Sequence, residues 1–335
     1  MKEFKQIRFM DINSKNKELW KQLPLDIPSC VYIDPTNLCN YHCPFCPTGN
    51  SELIHSVHRP FGMMDMEVYK KILSDLRNMV KKHGKKIERV HFYKDGEPLL
   101  NPNFPLMLKL ARESEIAESL ETTTNASLLT PELSENILSS GLNVIRISVE
   151  SVNNNYYSLV SNGKITYEKI KDNVAALFSK NKEGNYGLHI HAKIIDSGLT
   201  KEDLEKFKND FINISDSWNI NTINKWPGCG ICGYPFLETN FVGEKDICSE
   251  PFTKLAINFD GTVSACCVDW SHGAIFGDIT KESIENIWNG KKINEFRKQH
   301  LLKQRSKISI CYACNYVDGL PNLDLYNDYL MNFYC

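Results

Sequence analysis

Cys39, Cys43 and Cys46 fall within one short run, Thr36-Asn37-Leu38-Cys39-Asn40-Tyr41-His42-Cys43-Pro44-Phe45-Cys46-Pro47. Three thiolates spaced C-x3-C-x2-C on a loop can each hold one iron of a cubane [4Fe–4S] cluster, leaving the fourth iron without a protein ligand. An open iron is a place where a small molecule can chelate and accept an electron. Structural zinc asks for four protein ligands, usually two C-x2-C-like pairs, and this trio does not supply them. Nor do the three read as core cysteines, because Pro and Asn surround them rather than an apolar stripe. A second set stands toward the C-terminus: Cys248, Cys266 and the pair in Cys311-Tyr312-Ala313-Cys314. Four cysteines in the order C…C…C-x2-C can close a complete site, and spacing alone admits either zinc or iron–sulfur.

The first loop resembles the signature of the radical S-adenosylmethionine (SAM) superfamily, including the aromatic Phe45 before the last cysteine and the Thr and Asn around the first. With matching motifs, the resemblance runs from about Val31 to Cys314. It implies that the open iron binds the amino and carboxylate groups of SAM. Reductive cleavage then gives a 5'-deoxyadenosyl radical that takes hydrogen from the substrate. Lys94-Asp95-Gly96-Glu97-Pro98 resembles the family's Gly-Gly-Glu-Pro motif, with Asp95 in place of the first glycine. By that match Glu97 accepts hydrogen bonds from the SAM amino group, a charge-assisted contact; without it, the run is an Asp-Gly turn. Asn125 stands where the family has Thr-Asn-Gly, and Ser148 and Glu150 stand where it often places polar residues near the SAM ribose and carboxylate.

The later cysteines, in Cys248-x12-Gly261-x4-Cys266 and the C-x2-C pair, look like the SPASM/twitch extension of these enzymes. Two further SPASM cysteines would fall at Leu320 and Asp324 and are absent. The shorter pattern implies one auxiliary [4Fe–4S] cluster on Cys248, Cys266, Cys311 and Cys314. Cys267, beside a ligand, is expected to be buried or to support it. Cys229-Gly230-Ile231-Cys232 is less specific: a redox pair, a hydrogen-atom donor to a substrate radical, or two inert thiols in a Gly-rich loop.

The elements that must position these residues alternate. Strands are expected at Val31–Asp34, Ile87–Tyr93, Ser119–Thr124, Asn143–Val149 and Leu188–Ile194. Helices are expected at Met66–Lys82, Phe104–Ser114, Pro131–Ser139, Tyr167–Phe178 and Lys201–Phe211. Strands separated by helices imply parallel pairing with right-handed crossovers. Five or six such units ending near Asn221 give an α/β fold, a partial (β/α)6 TIM-like barrel, with chemistry at the carboxyl ends of the strands. A small C-terminal α+β auxiliary-cluster domain follows. The Asp260-Gly261 pair between alternating apolar residues marks its hairpin. Helices are expected there at Ser283–Trp288 and around Ile293–Leu302. The expected division is an N-terminal extension over 1–27, the barrel over 28–225, the auxiliary domain over 226–320 and a tail over 321–335. Period-two alternation puts Arg146, Ser148 and Glu150 on one face of their strand, and His189, His191 and Lys193 on one face of theirs. A helix-covered face should be apolar, so these polar faces are expected to line the barrel interior, the alternative being an exposed edge strand.

The chain has 335 residues, enough for one barrel and a small appendage, and 42% hydrophobic with 24% charged residues is ordinary for a soluble protein. A net charge of −2 with no dense basic stripe gives no reason to expect a nucleic-acid partner. No apolar run is long enough to span a bilayer, and the charged N-terminus is no signal peptide. Twelve cysteines without an export signal therefore suggest metal ligation in a reducing cytoplasm. The resemblance implies a low-potential electron donor such as flavodoxin or ferredoxin and a small-molecule substrate. Its leading activity is oxidation of a carbinol carbon on a sugar, nucleotide sugar or aminocyclitol, with the auxiliary cluster taking an electron and His189, His191 or Lys193 the hydroxyl proton. The competitors are a sugar epimerase with Cys229 or Cys232 as hydrogen donor and a peptide-modifying enzyme. Against the latter, only 38 residues precede Cys39, short for a leader-binding domain. A metal-stabilised binding module is disfavoured because a structural site gains nothing from an unfilled iron.

Overall fold

The computed structural model describes residues 5–6, 18–196, 198–222, 244–312 and 314–334. Its strands are β1 (Lys5–Gln6), β2 (Cys30–Ile33), β3 (Ile87–His91), β4 (Ala117–Thr124), β5 (Val144–Val149), β6 (His189–Asp196), β7 (Ser217–Thr222), β8 (Lys254–Ile257), β9 (Thr262–Ser264) and β10 (Ile275–Asp278). The helices that matter here are α1 (Met66–His83), α2 (Phe104–Glu113), α3 (Pro131–Leu138), α4 (Asn154–Val160), α5 (Tyr167–Gly184), α6 (Lys201–Phe211), α7 (Ile284–Trp288), α8 (Lys291–Leu301) and α9 (Asn327–Tyr334).

Strands β2 to β7 pair in parallel in chain order, with at least one helix between each pair. A parallel neighbour requires a crossover, and the amphipathic helices supply it. The side chains facing them, Val31 and Ile33, Val90 and Phe92, Ile145, Ile147 and Val149, and Ile190, Ala192 and Ile194, have no exposed surface. From the helices, Ile72, Leu76, Met107, Ile137, Val174 and Leu177 meet them in one core. Each of the larger of these side chains, Ala192 aside, contributes about 1.5–3 kcal/mol by leaving water. The helix ends are specified locally. Asp65 accepts from the Glu67 amide at the start of α1, and Gly84 at φ 63° ends it. Thr200 and Asp203 form a reciprocal capping box on α6.

The auxiliary hairpin is not a separate appendage. β8 pairs in parallel with β2 from Cys30↔Lys254 to Ile33↔Ile257, and β9 and β10 follow antiparallel. Among the described residues the result is one ten-stranded sheet in the order β1-β7-β6-β5-β4-β3-β2-β8-β9-β10. Register explains the graft. Leu255 and Ile257 continue the apolar face of Val31 and Ile33, while Lys254 and Ala256 continue the inner face of Cys30 and Tyr32. Gly261, at φ 86°, turns the hairpin where the Asp-Gly pair was expected.

Most expected elements recur with shifted ends; α5 runs past Phe178 to Gly184, where Asn185 caps it in the left-handed region. Helix α4 was not foreseen, since Asn154-Asn155-Tyr156-Tyr157 has weak helix propensity; Asn153 starts it by accepting from the Asn155 amide. Helix α9 occupies part of the expected tail. Its Leu330 packs with Leu19, Leu23, Ile247, Phe252, Leu301 and Leu323 in a second core, where Trp20 also stacks on Tyr326 at 4.5 Å.

Candidate active site

The three-cysteine loop leaves the carboxyl end of β2 and is held on every side. Thr36 Oγ1 donates to the Gly62 carbonyl at 2.7 Å, and Asn37 bonds Pro60 and Gly62 through both ends of its amide. The His42 amide donates to the Val160 carbonyl at 2.8 Å, tying the loop to α4. Behind the loop, the Glu97 amide donates to the Leu38 carbonyl, and a Cβ on Gly96 would strike the carbonyl oxygens of Thr36 and Leu38. Gly49 closes the far side, where a Cβ would lie 2.6 Å from the Cys43 carbonyl. Cys43 is buried, Cys39 and Cys46 are half-buried, and none is in a disulfide. Burial raises all three thiols, so they stay protonated until a metal displaces the proton. Phe45 is buried in the core beneath them.

Above the loop, the Glu97 carboxylate accepts from the Leu99 amide, Thr124 Oγ1 and the Asn125 amide at 3.0, 2.7 and 2.8 Å. Two of these reach Oε1 and one reaches Oε2, so one acceptor position on Oε2 is left for a further donor. Burial pushes this carboxyl up to about 7 despite the three donors. Asn125 is tied back to the loop through Asn40, and Ser127 closes a triangle with both. Ser148, near the end of β5, and Glu150, just beyond it, are both buried. Glu150 Oε2 is buried without a hydrogen-bond partner among the described residues, and burial pushes its carboxyl up to about 7 against the opposing pull of Lys193. An acceptor left open in this way suits hydroxyl donors such as those of a ribose; it does not suit a second carboxylate.

The alternation inside the barrel is as expected. On β6, His189, His191 and Lys193 are half-buried on the inner face while their neighbours are fully buried. His191 Nε2 lies 2.8 Å from Asn219 Oδ1, and Asn219 donates its own amide to Asn221. The His191 proton therefore sits on Nε2, and Nδ1 accepts from Ser217 Oγ at 2.7 Å. Ser217 in turn accepts from His189 Nε2 at 2.7 Å. Both His191 nitrogens are engaged, and burial pulls it down to about 4, so it remains neutral. Lys193 differs. Among the described residues nothing bonds its ammonium, and burial pulls it down to about 8 against the pull of Glu150. Cys229 and Cys232 lie outside the described residues.

Asp95, the departure from the Gly-Gly-Glu-Pro pattern, is the centre of a buried ion cluster that sequence reasoning missed. Its Oδ2 meets Lys94 Nζ at 2.7 Å, His272 Nε2 at 3.1 Å and Arg59 Nη1 at 3.2 Å. Burial alone would raise this carboxyl, but Lys94, His272 and Arg59 outweigh it and hold it well below the usual range. Lys94 also donates to the Asp269 carbonyl, and Arg59 to the Trp270 carbonyl and, at 3.4 Å, to Thr48 beside the cysteine loop. The cluster thus bolts the first cysteine loop to the segment after Cys266.

The second cysteine set converges although its members lie far apart in sequence. Cys248 lies in the electrostatic reach of Cys311 and Cys314, and Cys266 in that of Cys311 and Cys248. Burial raises all four thiols, Cys311 up to about 12. A cubane takes one thiolate at each of its irons, and these four thiols supply such a set. Cys267 points elsewhere, donating to Glu250 Oε2 at 3.8 Å beside Cys30 and Tyr32.

The family model described as the radical SAM superfamily matches residues 33–212, more than half of the chain. The chain belongs to the radical SAM superfamily. A second model, the SPASM iron–sulfur cluster-binding domain, matches residues 248–315. The radical SAM chain thus takes SAM, a SAM-binding [4Fe–4S] cluster and an auxiliary cluster. It is 20% identical over 289 residues to the S-adenosyl-L-methionine-dependent 2-deoxy-scyllo-inosamine dehydrogenase of Niallia circulans, covering 86% of this chain and 93% of that one. The crystal structure of BtrN in complex with AdoMet and 2-DOIA superposes with a TM-score of 0.57 at 20% identity, over 86% of this chain and 93% of that one. Streptococcus suis SuiB bound to its precursor peptide SuiA gives 0.62 at 15% identity, over 96% and 77%. At these identities the structures speak for the fold. Among the described residues no helix is long and apolar enough to cross a membrane.

Proposed function

We propose that this radical SAM enzyme oxidises a carbinol carbon of an aminocyclitol or a related sugar to a carbonyl. In this reading the barrel over 28–225 holds the SAM cluster on Cys39, Cys43 and Cys46, and the domain over 226–320 holds the auxiliary cluster on Cys248, Cys266, Cys311 and Cys314. Glu97 offers its open Oε2 position to the SAM amino group, with Asn125 fixing the carboxylate that does so. Glu150 takes the ribose hydroxyls, with Ser148 beside it. When bound, the SAM cluster with SAM supplies a hydrogen-abstracting radical, and the auxiliary cluster supplies an electron acceptor.

The observation that carries the reading is the convergence of Cys248 and Cys266, half-buried, with Cys311 and Cys314, buried, in the part of the chain whose strands β8 to β10 extend the sheet of the SAM loop. A closed, fully protein-ligated cluster has no open iron for substrate but can take up an electron, which is the role this reading gives it. Loss of a hydrogen atom and an electron from the carbinol also requires loss of the hydroxyl proton. Lys193 suits the role of base, because it faces the interior, nothing among the described residues bonds it, and its ammonium is already held near neutral pH. The likeness to the 2-deoxy-scyllo-inosamine dehydrogenase supports the substrate class. A flavodoxin or ferredoxin serves as the low-potential donor.

The test is product analysis. The reconstituted enzyme, SAM and reduced flavodoxin are incubated anaerobically with a panel of aminocyclitols and nucleotide sugars. The expected result is one carbonyl product formed in step with 5'-deoxyadenosine. A stereoinverted product that is not oxidised overturns the proposal.

A further inference from the structure

His300, on α8, has no exposed surface, and its ring packs at a tilt on Phe296 with centroids 5.0 Å apart. No motif singles it out. The Cys248 amide donates to its Nδ1 at 3.3 Å, and its Nε2 lies 3.9 Å from Cys311 Sγ. One imidazole therefore touches two of the four cysteines assigned to the auxiliary cluster, one from each end of that cysteine set. The first contact fixes the second. A nitrogen that accepts from an amide N–H carries no proton, so the imidazole is neutral with its proton on Nε2, directed at the sulfur. Beside it, Arg305 donates from Nη1 to the carbonyls of Cys311 and Cys314 at 2.7 and 3.2 Å, pinning the C-x2-C turn with a buried cation.

We infer that His300 is a positioning residue that sets the reduction potential of the auxiliary cluster by donating an N–H···S hydrogen bond to the Cys311 thiolate. A donor to a ligating sulfur stabilises the state with more negative charge, which is the reduced cluster. The bond therefore raises the potential and makes the cluster a better acceptor. The Cys248 amide is the second half of the device, because it selects the tautomer that can donate. The inference rests on the assignment of Cys311 as a cluster ligand, and it does not depend on the identity of the substrate.

The experiment is an EPR-monitored redox titration of the full chain carrying both clusters, without substrate, with the SAM cluster as internal control. In His300→Leu the auxiliary potential is expected to fall while the SAM-cluster potential stays. The expected change in the ratio of reduced to oxidised cluster at fixed potential is up to about tenfold, or ~59 mV for one electron. His300→Gln, which restores an N–H donor, is expected to recover part of the shift. A full complement of iron with an unchanged auxiliary potential in His300→Leu overturns the inference. Should His300→Leu fail to assemble, the unmodified protein answers instead. With [15N]histidine, pulsed EPR of the reduced auxiliary cluster is expected to show a weak 15N coupling, and its absence overturns the inference. A protein that holds only one cluster overturns it together with the assignment of Cys311.

Discussion

At the scale of single residues, the site separates groups that hold position from groups with chemistry left to do. His191 has both nitrogens committed to Ser217 and Asn219, and His189 is committed to Ser217. These two histidines stiffen the β6–β7 pair. Among the described residues nothing bonds the Lys193 ammonium or Glu150 Oε2, and each shifts the other's titration. If Lys193 takes the hydroxyl proton it must be neutral, so kcat/KM should rise with pH through about 8 and then level off. Lys193→Met should abolish that rise and cost roughly 10²–10⁴-fold, measured as carbonyl product per enzyme. Glu150 raises the Lys193 pKa, so Glu150→Gln should move the limb to lower pH; a limb that stays in place would detach Lys193 from the proton transfer.

At the scale of elements, loop packing decides whether the SAM cluster can assemble. Gly96 leaves no room for a Cβ against the Thr36 and Leu38 carbonyls, so Gly96→Ala must displace the loop that carries Cys39. The expected result is loss of about four irons per chain, those of the SAM cluster, with the auxiliary cluster kept. Asp95 faces Arg59 and Lys94 in the interior, and Asp95→Asn leaves Arg59 without its ion pair and Lys94 with Asp34 as its remaining buried carboxylate. That change should cost about 3–5 kcal/mol, read as a lower melting temperature. Much of this was legible in the sequence. The C-x3-C-x2-C loop, the strand–helix alternation and the polar faces of β5 and β6 follow from spacing and periodicity. The Asp95 cluster was not legible, because Arg59 and His272 are brought to the Lys94-Asp95 pair only by the fold; the replaced glycine at 95 was the one visible sign. Nor was the parallel β2–β8 pairing, since an Asp-Gly turn specifies a hairpin but not the strand it docks beside.

At the scale of the whole molecule, the first cysteine loop leaves β2, and Cys248 and Cys266 flank the β8–β9 hairpin that joins the same continuous sheet beside β2. Electron transfer between two sites requires a fixed separation, and a shared sheet reinforced by the Asp95 cluster supplies it. Anaerobic reconstitution should give about eight irons and eight sulfides per chain, and replacing Cys39, Cys43 and Cys46 together with Ala should leave about four and no SAM cleavage. Stoichiometric zinc at the remaining cysteines would contradict the auxiliary assignment. The most direct test of the oxidation follows the hydrogen. Substrate deuterated at the reacting carbinol carbon is turned over with SAM, and the 5'-deoxyadenosine and the product are analysed by mass spectrometry. The expected result is one deuterium in 5'-deoxyadenosine for each carbonyl formed. A product of unchanged oxidation level carrying solvent hydrogen at the labelled carbon would contradict dehydrogenation.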